Sequence, residues 1–295
     1  MSTAINQMSK KSLITKVLLA WFLGLIALAL ANWLSAISFE KWGLGNQEKS
    51  IIQAIIFVGL VIPCIWLLRI YLDKGTPKTI GLGNFKHSIS KFGLGMGLLI
   101  IPITITITCT TLFGWGEVHF NMDNSILSSF FIGFIITFLY EALPEELIFR
   151  GYIYSNLAIK YRRWVSALIT IGLFALLPII LVQIQKHILG IEVQIGNSQS
   201  IQVSYIITMI IFGAFVQYLR MLTNSIWTGI GFHLMFVYVN WLIGTESTNL
   251  IQFSNFTNET PVQITFIITL LTLFIALLMY PKLTKRKIGW NQVDN

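Results

Sequence analysis

Long apolar runs alternate with short polar segments along almost the whole chain. A membrane-spanning helix needs about 20 predominantly apolar residues, and eight segments reach that length. They predict helices at about 13–37, 51–72, 92–113, 127–149, 164–184, 203–219, 225–244 and 262–280. The fourth helix is expected to continue towards Lys160. The pattern therefore predicts an all-α fold, a polytopic membrane protein of about eight transmembrane helices in one domain, residues 1–295.

The Lys and Arg residues are distributed unevenly between the two sets of loops. If the N-terminus is cytoplasmic, 17 of the 20 Lys and Arg residues fall on the cytoplasmic side. Cytoplasmic loops of membrane proteins carry such an excess. The loops 114–126 and 245–261, predicted to lie outside, contain Glu and Asp but no Lys or Arg. This asymmetry predicts an even number of spans, with both termini cytoplasmic. The expected location is a cell membrane, the bacterial plasma membrane, with the chain as a multi-pass protein.

Composition supports a membrane protein and argues against other classes. Hydrophobic residues make up 55% of the chain and charged residues only 11%, whereas a soluble domain carries about 25% charged residues. The net charge of +8 does not indicate a nucleic-acid partner, because the basic residues are scattered between apolar runs. Cys64 and Cys109 lie inside apolar runs, without the spacing of a metal site or a disulfide framework.

The one concentration of ionisable residues inside an apolar span lies between Tyr140 and Gly151. Such residues are costly in a membrane, so each is a functional-site hypothesis. Glu146 and Arg150 are four residues apart and can pair on one helix face, whereas Glu141 and Glu145 at the same spacing repel each other. Glu145 is then left without a cation of its own, which suits a general base acting on water.

His233 is the other ionisable residue predicted to lie in an apolar span. At 1.5 Å per residue, Glu145 is about 22 Å from Lys160 and His233 is about 20 Å from Arg220. Both are measured from the cytoplasmic side, so the two side chains are expected in one layer of the membrane. A purely structural role, with a Glu–Arg pair and a hydrogen-bonded His joining helices, is the alternative. No cofactor is predicted, and one His with glutamates lacks a three-ligand metal set.

Glu145-Glu146-x-x-x-Arg150, followed by Gly151-Tyr152, resembles the first motif of the CAAX protease and bacteriocin-processing (CPBP, or Abi) family. Phe149 matches the aromatic residue that usually precedes the arginine. The resemblance covers about residues 127–245. It implies a polytopic helical membrane protein and an intramembrane glutamate protease.

The second and third family motifs are incomplete in this sequence. The second, F-x-x-x-H, corresponds to Phe174-Ala175-Leu176-Leu177-Pro178, with proline in place of histidine. His187 lies nine residues further on, in a predicted outer loop, and is a poor substitute. The third, H-x-x-x-N, begins at His233, but valine occupies position 237. Asn240 is seven residues from His233 and shares its helix face, one turn further out.

The resemblance implies a role for each matching residue. Glu145 would be the base that activates water, and Glu146 its partner. Arg150 would orient the glutamates, and His233 would stabilise the oxyanion. The role of the second histidine is vacant. The partner would be a membrane-associated protein or peptide substrate within the lipid bilayer.

Three functional hypotheses remain open. The first is an intramembrane endopeptidase that cleaves a membrane-associated protein or peptide by glutamate-activated water. The second is a non-catalytic family member that binds a membrane partner, in bacteriocin immunity or envelope regulation, since Pro178 and Val237 depart from the motifs. The third is a small transporter, which the absence of an inverted repeat disfavours.

Overall fold

The computed structural model describes residues 10–191, 201–244, 249–254, 271, 274–275, 277–282, 284–285 and 288–293. Within these residues the chain forms seven long helices. They are α1 (Lys10–Trp42), α2 (Asn46–Leu67), α3 (Phe85–Leu112), α4 (Asn124–Ala158), α5 (Arg163–His187), α6 (Val203–Thr223) and α7 (Ile226–Leu242). A π-helical turn, Leu68–Leu72, extends α2, and a short 3-10 helix, Pro77–Ile80, follows it.

The helices confirm an all-α polytopic membrane fold. The first six are long and apolar enough to cross a membrane. The helix α7 has 17 residues and is shorter than the predicted span 225–244. Most of the predicted eighth span, 262–280, lies outside the described residues, and its described residues are helical.

Large apolar side chains cover the outside of the described helices. Ile55, Ile101, Phe131, Leu168 and Ile211 are each more than half exposed. A soluble protein rarely exposes so much contiguous apolar surface. These faces are suited to contact with lipid chains.

Short strands join the two loops that the charge pattern assigns to the same side. The strand β1 (Glu117–Phe120) pairs antiparallel with β3 (Ile251–Ser254), and β2 (Ile243–Gly244) pairs parallel with β3. The pairing brings the loop before α4 and the segment after α7 to one end of the bundle. Hydropathy does not reveal this sheet, because each strand is too short to give a periodic pattern.

The helices α3 and α7 approach each other very closely. A Cβ atom on Gly95 would lie 2.1 Å from the carbonyl oxygen of Thr228, and one on Gly231 would lie 2.2 Å from that of Phe92. Small residues allow membrane helices to come into such contact. This packing fixes α7 just before His233.

The helix α4 widens on both sides of the glutamate pair. It is π-helical at Phe138–Ala142 and at Leu147–Ile153. Pro144 has no N–H to donate to the carbonyl four residues earlier, and the N–H of Leu143 donates to the carbonyl of Phe138, five residues back. Such π-helical turns are frequent at functional sites. Here they flank the segment that carries Glu145 and Glu146.

A buried ionic network holds the end of α4 near Ala158. Asp73 accepts hydrogen bonds from Arg69 Nη1 at 3.0 Å and Asn156 Nδ2 at 3.2 Å, and its other oxygen is 2.9 Å from Lys16 Nζ. These contacts join α1, the extension of α2 and α4. They fix the end of the helix on which Glu145 and Glu146 lie.

Candidate intramembrane active site

The fold brings the four residues predicted from the sequence into one cluster. Glu146 is fully buried, and its Oε1 accepts a hydrogen bond from Arg150 Nη1 at 3.0 Å. The Nδ1 of His233 lies 3.1 Å from the same oxygen, a distance at which an imidazole N–H donates to a carboxylate. The predicted pair between Glu146 and Arg150 is therefore present, and His233 joins it from α7.

Glu145 occupies a different environment from Glu146. Its side chain is 17% exposed, whereas that of Glu146 is not exposed at all. The Oε2 of Glu145 is 4.0 Å from Nε2 of His233. His233 thus lies between the two carboxylates, with one ring nitrogen towards each. Glu145 is the carboxylate of the pair that borders accessible space.

Arg150 is held on several sides. Its Nη2 donates to the carbonyl oxygen of Gly213 at 3.2 Å, and its guanidinium lies 4.3 Å from the ring centroid of Phe174. The backbone carbonyl of Arg150 accepts a hydrogen bond from Arg220 Nε at 3.2 Å. A buried arginine with these contacts keeps one orientation, so the carboxylate of Glu146 is held in place as well.

Two glycines make room for the charged side chains. A Cβ atom on Gly229 would lie 2.8 Å from Glu146 Oε2 and 2.9 Å from Val216 Cγ1. A Cβ atom on Gly213 would lie 3.2 Å from Cδ1 of Phe174. The two contacts at Gly229 are shorter than real Cβ atoms make, and the contact at Gly213 would require Phe174 to shift by a few tenths of an ångström. Glycine at these places lets α6 and α7 pack directly against the charged pair.

Aromatic side chains form an apolar wall beside His233. The ring centroid of Phe212 lies 4.7 Å from that of His233, and Phe236 and Phe174 lie 4.6 Å and 5.9 Å from Phe212. Charged groups interact more strongly beside such a wall than in water, because the local dielectric constant is low.

The residues at the incomplete motif positions differ in their burial and in their contacts with the cluster. Phe174 lies against Arg150, and Pro178, one turn further along α5, is partly buried. His187 is the last residue of α5 and is exposed, so it does not join the cluster. Val237 is partly buried. The side chain of Asn240 lies outside the described part of the structure.

The depth predicted for His233 needs a correction, although its meeting with the glutamates is confirmed. The estimate counted from Arg220 as if the intervening residues were one helix. The helix α6 instead continues to Thr223, Asn224 is left-handed with φ of 53°, and α7 begins at Ile226. His233 is therefore seven residues, or about 10 Å, from the start of its own helix.

One further ionisable residue lies one helical turn from the cluster. Glu141 is four residues before Glu145 on α4 and is partly buried. Sequence reasoning did not single out Phe212, because one phenylalanine in an apolar helix is unremarkable, and its contact with His233 is evident only in the structure.

Residues 127–239 match the family model described as type II CAAX prenyl endopeptidase Rce1-like. The family predicted from the motifs is confirmed over this segment. No curated protein matches the chain.

The Rce1-like segment contains every residue of the cluster. It runs from the beginning of α4 to near the end of α7. The helices α1, α2 and α3 lie outside the match, but Lys16, Arg69 and Asp73 hold α4 through the ionic network. Among the described residues, no three His, Cys, Asp or Glu side chains are grouped so that they could hold a metal ion.

Proposed function

We propose that the protein is an intramembrane endopeptidase in which Glu145 activates water for hydrolysis of a peptide bond. The observation that carries the proposal is the contrast between the two carboxylates. Glu146 is fully buried and paired with Arg150 and His233, whereas Glu145 is partly accessible and 4.0 Å from His233. A general base needs access to water, and Glu145 has it.

The roles proposed for the other residues follow from their contacts. Glu146 holds Nδ1 of His233, so that Nε2 is directed to the space beside Glu145. His233, with a proton on both ring nitrogens, would use Nε2–H to stabilise the negative charge that develops on the substrate carbonyl oxygen. Arg150 would orient Glu146 and compensate its charge. Membership of a protease family supports the reaction class.

The proposed substrate is a membrane-associated protein or peptide, cleaved within the lipid bilayer. The two glutamates lie on α4, a helix long and apolar enough to cross a membrane, and the apolar wall of Phe212 and Phe236 suits an apolar chain beside the scissile bond. We propose that both termini are cytoplasmic, which the distribution of Lys and Arg supports, and that the membrane is the bacterial plasma membrane.

The experiment is a cleavage assay in native-like membranes, with a pool of membrane proteins and peptides and products identified by mass spectrometry. Wild-type protein should give products that disappear with Glu145→Ala at equal protein level. Products that persist in Glu145→Ala would overturn the proposal.

A non-catalytic role is the second candidate, and Pro178 and Val237 favour it, because both replace polar side chains of the family motifs. In that case the protein would bind a membrane partner in immunity or envelope regulation. Wild-type protein would then give no products, and its biological effect would survive Glu145→Gln. Cleavage gained with Pro178→His would identify a site that has lost one histidine.

A further inference from the structure

A second buried arginine, Arg220, contacts the backbone of the charged cluster. Arg220 is only 5% exposed, and its Nε donates to the backbone carbonyl of Arg150 at 3.2 Å. Arg150 Nη1 donates to Oε1 of Glu146, and Nδ1 of His233 lies 3.1 Å from that oxygen. A continuous chain of contacts therefore runs from Arg220 on α6 to the charged pair and to His233.

The carbonyl of Arg150 lies in the π-helical segment of α4, Leu147–Ile153. In a regular α-helix it would accept from the N–H of Tyr154, four residues later. The N–H of Tyr154 instead donates to the carbonyl of Phe149, five residues back. A buried carbonyl needs a donor, and Arg220 supplies one from α6. The contact therefore stabilises the π-helical register over the α-helical register.

The register of this segment determines which side chain borders accessible space. A shift of one residue turns a helix by about 100°. The side chain of Glu145 is 17% exposed, whereas Pro144 and Glu146 on either side of it are buried. If the π-helical segment relaxed to an α-helix while the ionic network held the end of α4, position 145 would turn towards the orientation of a buried neighbour. The access of Glu145 to water therefore depends on the π-helical register.

Arg220 is itself held by several elements. Its Nη1 donates to Oδ1 of Asn224 at 2.8 Å, and its Nη2 donates to Oγ of Ser155 at 3.4 Å. A Cβ atom on Gly81 would lie 3.0 Å from Cζ of Arg220, so the loop before α3 packs directly on the guanidinium. The N–H of Ile226, at the start of α7, donates to the carbonyl of Gly81 at 3.1 Å. Arg220 therefore joins α4 to the loop and the turn from which α7 begins.

We propose that Arg220 is a positioning residue, which holds the π-helical register of α4 and so keeps Glu145 at the accessible space beside His233. The inference rests on the proposed function, because it concerns the same base. Arg220 acts through the backbone of Arg150 and not on the substrate. A guanidinium suits this role, because Nε binds the carbonyl while the two terminal nitrogens donate elsewhere.

Two substitutions of similar length separate the hydrogen bond from the charge. In Arg220→Gln, Nε2 is as many bonds from the backbone as Nε of arginine, so a donor for the carbonyl remains. Arg220→Met has no donor, and Arg220→Leu replaces it if the methionine variant does not fold. All three lose the charge and the contacts with Asn224 and Ser155. Arg162→Met is the control, because Arg162 is exposed.

The first measurement is the modification of a thiol at position 145, in the full-length protein in lipid nanodiscs. Glu145→Cys is introduced in a variant without Cys64 and Cys109, and its reaction with N-ethylmaleimide is followed by mass spectrometry. Thiol reactivity depends on exposure. Arg220→Met should lose this labelling, whereas Arg220→Gln and Arg162→Met should be labelled at the rate of the parent protein. Unchanged labelling in Arg220→Met, or equal loss in Arg220→Met and Arg220→Gln, would overturn the inference.

The second measurement is the turnover of a substrate obtained from the membrane assay. A misplacement of about 1 Å costs about 100-fold in rate, so Arg220→Met should lower kcat by about that factor. KM should stay near the wild-type value, because no contact with the substrate is removed, and Arg220→Gln should keep most of the wild-type kcat. An equal fall of kcat in both variants would show that the charge of Arg220, and not its hydrogen bond, serves the site, and the inference would be wrong.

The two measurements separate this inference from the proposed function. If labelling follows the expected pattern while Glu145→Gln keeps full turnover, Arg220 positions the glutamate but the proposed function fails. If Glu145→Gln is inactive while Arg220→Met keeps labelling and turnover, the proposed function stands and the role of Arg220 is wrong. A Glu145→Cys thiol that does not react in the parent protein would contradict the accessibility on which both depend.

Discussion

At the scale of single residues, two adjacent glutamates lie in different environments. Glu146 accepts from both Arg150 and His233 in a fully buried position, so its charge is compensated within the protein. Glu145 has the imidazole of His233 4.0 Å away and borders accessible space. The pairing of Glu146 with Arg150 was predictable from their spacing of four residues. The exposure of Glu145 was not, because it depends on how α6 and α7 cover α4.

The buried pair should contribute to stability as a unit. Arg150→Met leaves Glu146 without its partner, and Glu146→Gln leaves Arg150 without its counter-charge, so each should lower the free energy of unfolding by about 3–5 kcal/mol. The double variant Glu146→Leu/Arg150→Met should lose less than the sum. Thermal unfolding in detergent can be followed with a thiol-reactive dye, because Cys64 and Cys109 are free. Single variants that melt at the wild-type temperature would contradict a structural role for the pair.

Gly229 should be intolerant of a side chain. In Gly229→Ala, the new Cβ would lie 2.8 Å from Glu146 Oε2, so the carboxylate or α7 must shift. We expect cleavage activity and melting temperature to fall together. Gly172→Ala is the control, because a Cβ there meets nothing within 4 Å. Equal behaviour of the two variants would show that Glu146 has room to move.

At the scale of elements, the helix with two π-helical segments, α4, carries the two proposed catalytic glutamates. The hydropathy pattern predicts the presence of α4 and its continuation towards Lys160, and both are confirmed. It does not predict the π-helical segments, because they depend on local hydrogen bonds around Pro144. The predicted depth of His233 was wrong because it assumed one continuous helix from Arg220. The hydropathy pattern does not reveal the turn at Asn224 that separates α6 from α7.

The ionic network at the end of α4 should stabilise the folded protein, although it lies away from the glutamates. Asp73→Asn removes the charge that compensates Lys16 and Arg69, whose side chains are less than one-tenth exposed. The free energy of unfolding should fall by at least about 3 kcal/mol, the cost of breaking a buried ion pair. Asp123→Asn should have little effect, because Asp123 is exposed and its side chain does not cap α4. The same dye assay measures both, and equal melting temperatures would rule out this role for Asp73.

At the scale of the whole molecule, composition and the distribution of charge predict more of the fold than the motifs do. The apolar helices and the lipid-suited surface follow from the sequence, and the structure confirms six helices long enough to span a membrane. The sheet formed by β1, β2 and β3 brings the loops predicted to be external to one end of the bundle. The sequence does not predict the sheet, but the sheet agrees with the predicted alternation of spans.

The predicted orientation can be tested by cysteine labelling in a variant without Cys64 and Cys109. A membrane-impermeant maleimide on intact cells should label Glu117→Cys, in the loop predicted to be external. It should label Lys86→Cys, on the predicted cytoplasmic side, only after permeabilisation. Both native residues are exposed, so access to the reagent depends on the side of the membrane. The reverse pattern would show that the distribution of Lys and Arg does not set the orientation of this protein.

The central claim is that Glu145 performs catalysis while Glu146 and Arg150 maintain the site. The most direct measurement is the turnover rate of purified protein in nanodiscs for wild type, Glu145→Gln and the exposed control Glu48→Gln, with the melting temperature of each. Loss of a general base should lower kcat by about 10²-fold to 10⁴-fold at an unchanged melting temperature, and Glu48→Gln should match wild type. A Glu145→Gln variant that keeps more than about a tenth of the wild-type kcat would contradict the claim, since that loss is smaller than removal of a general base produces.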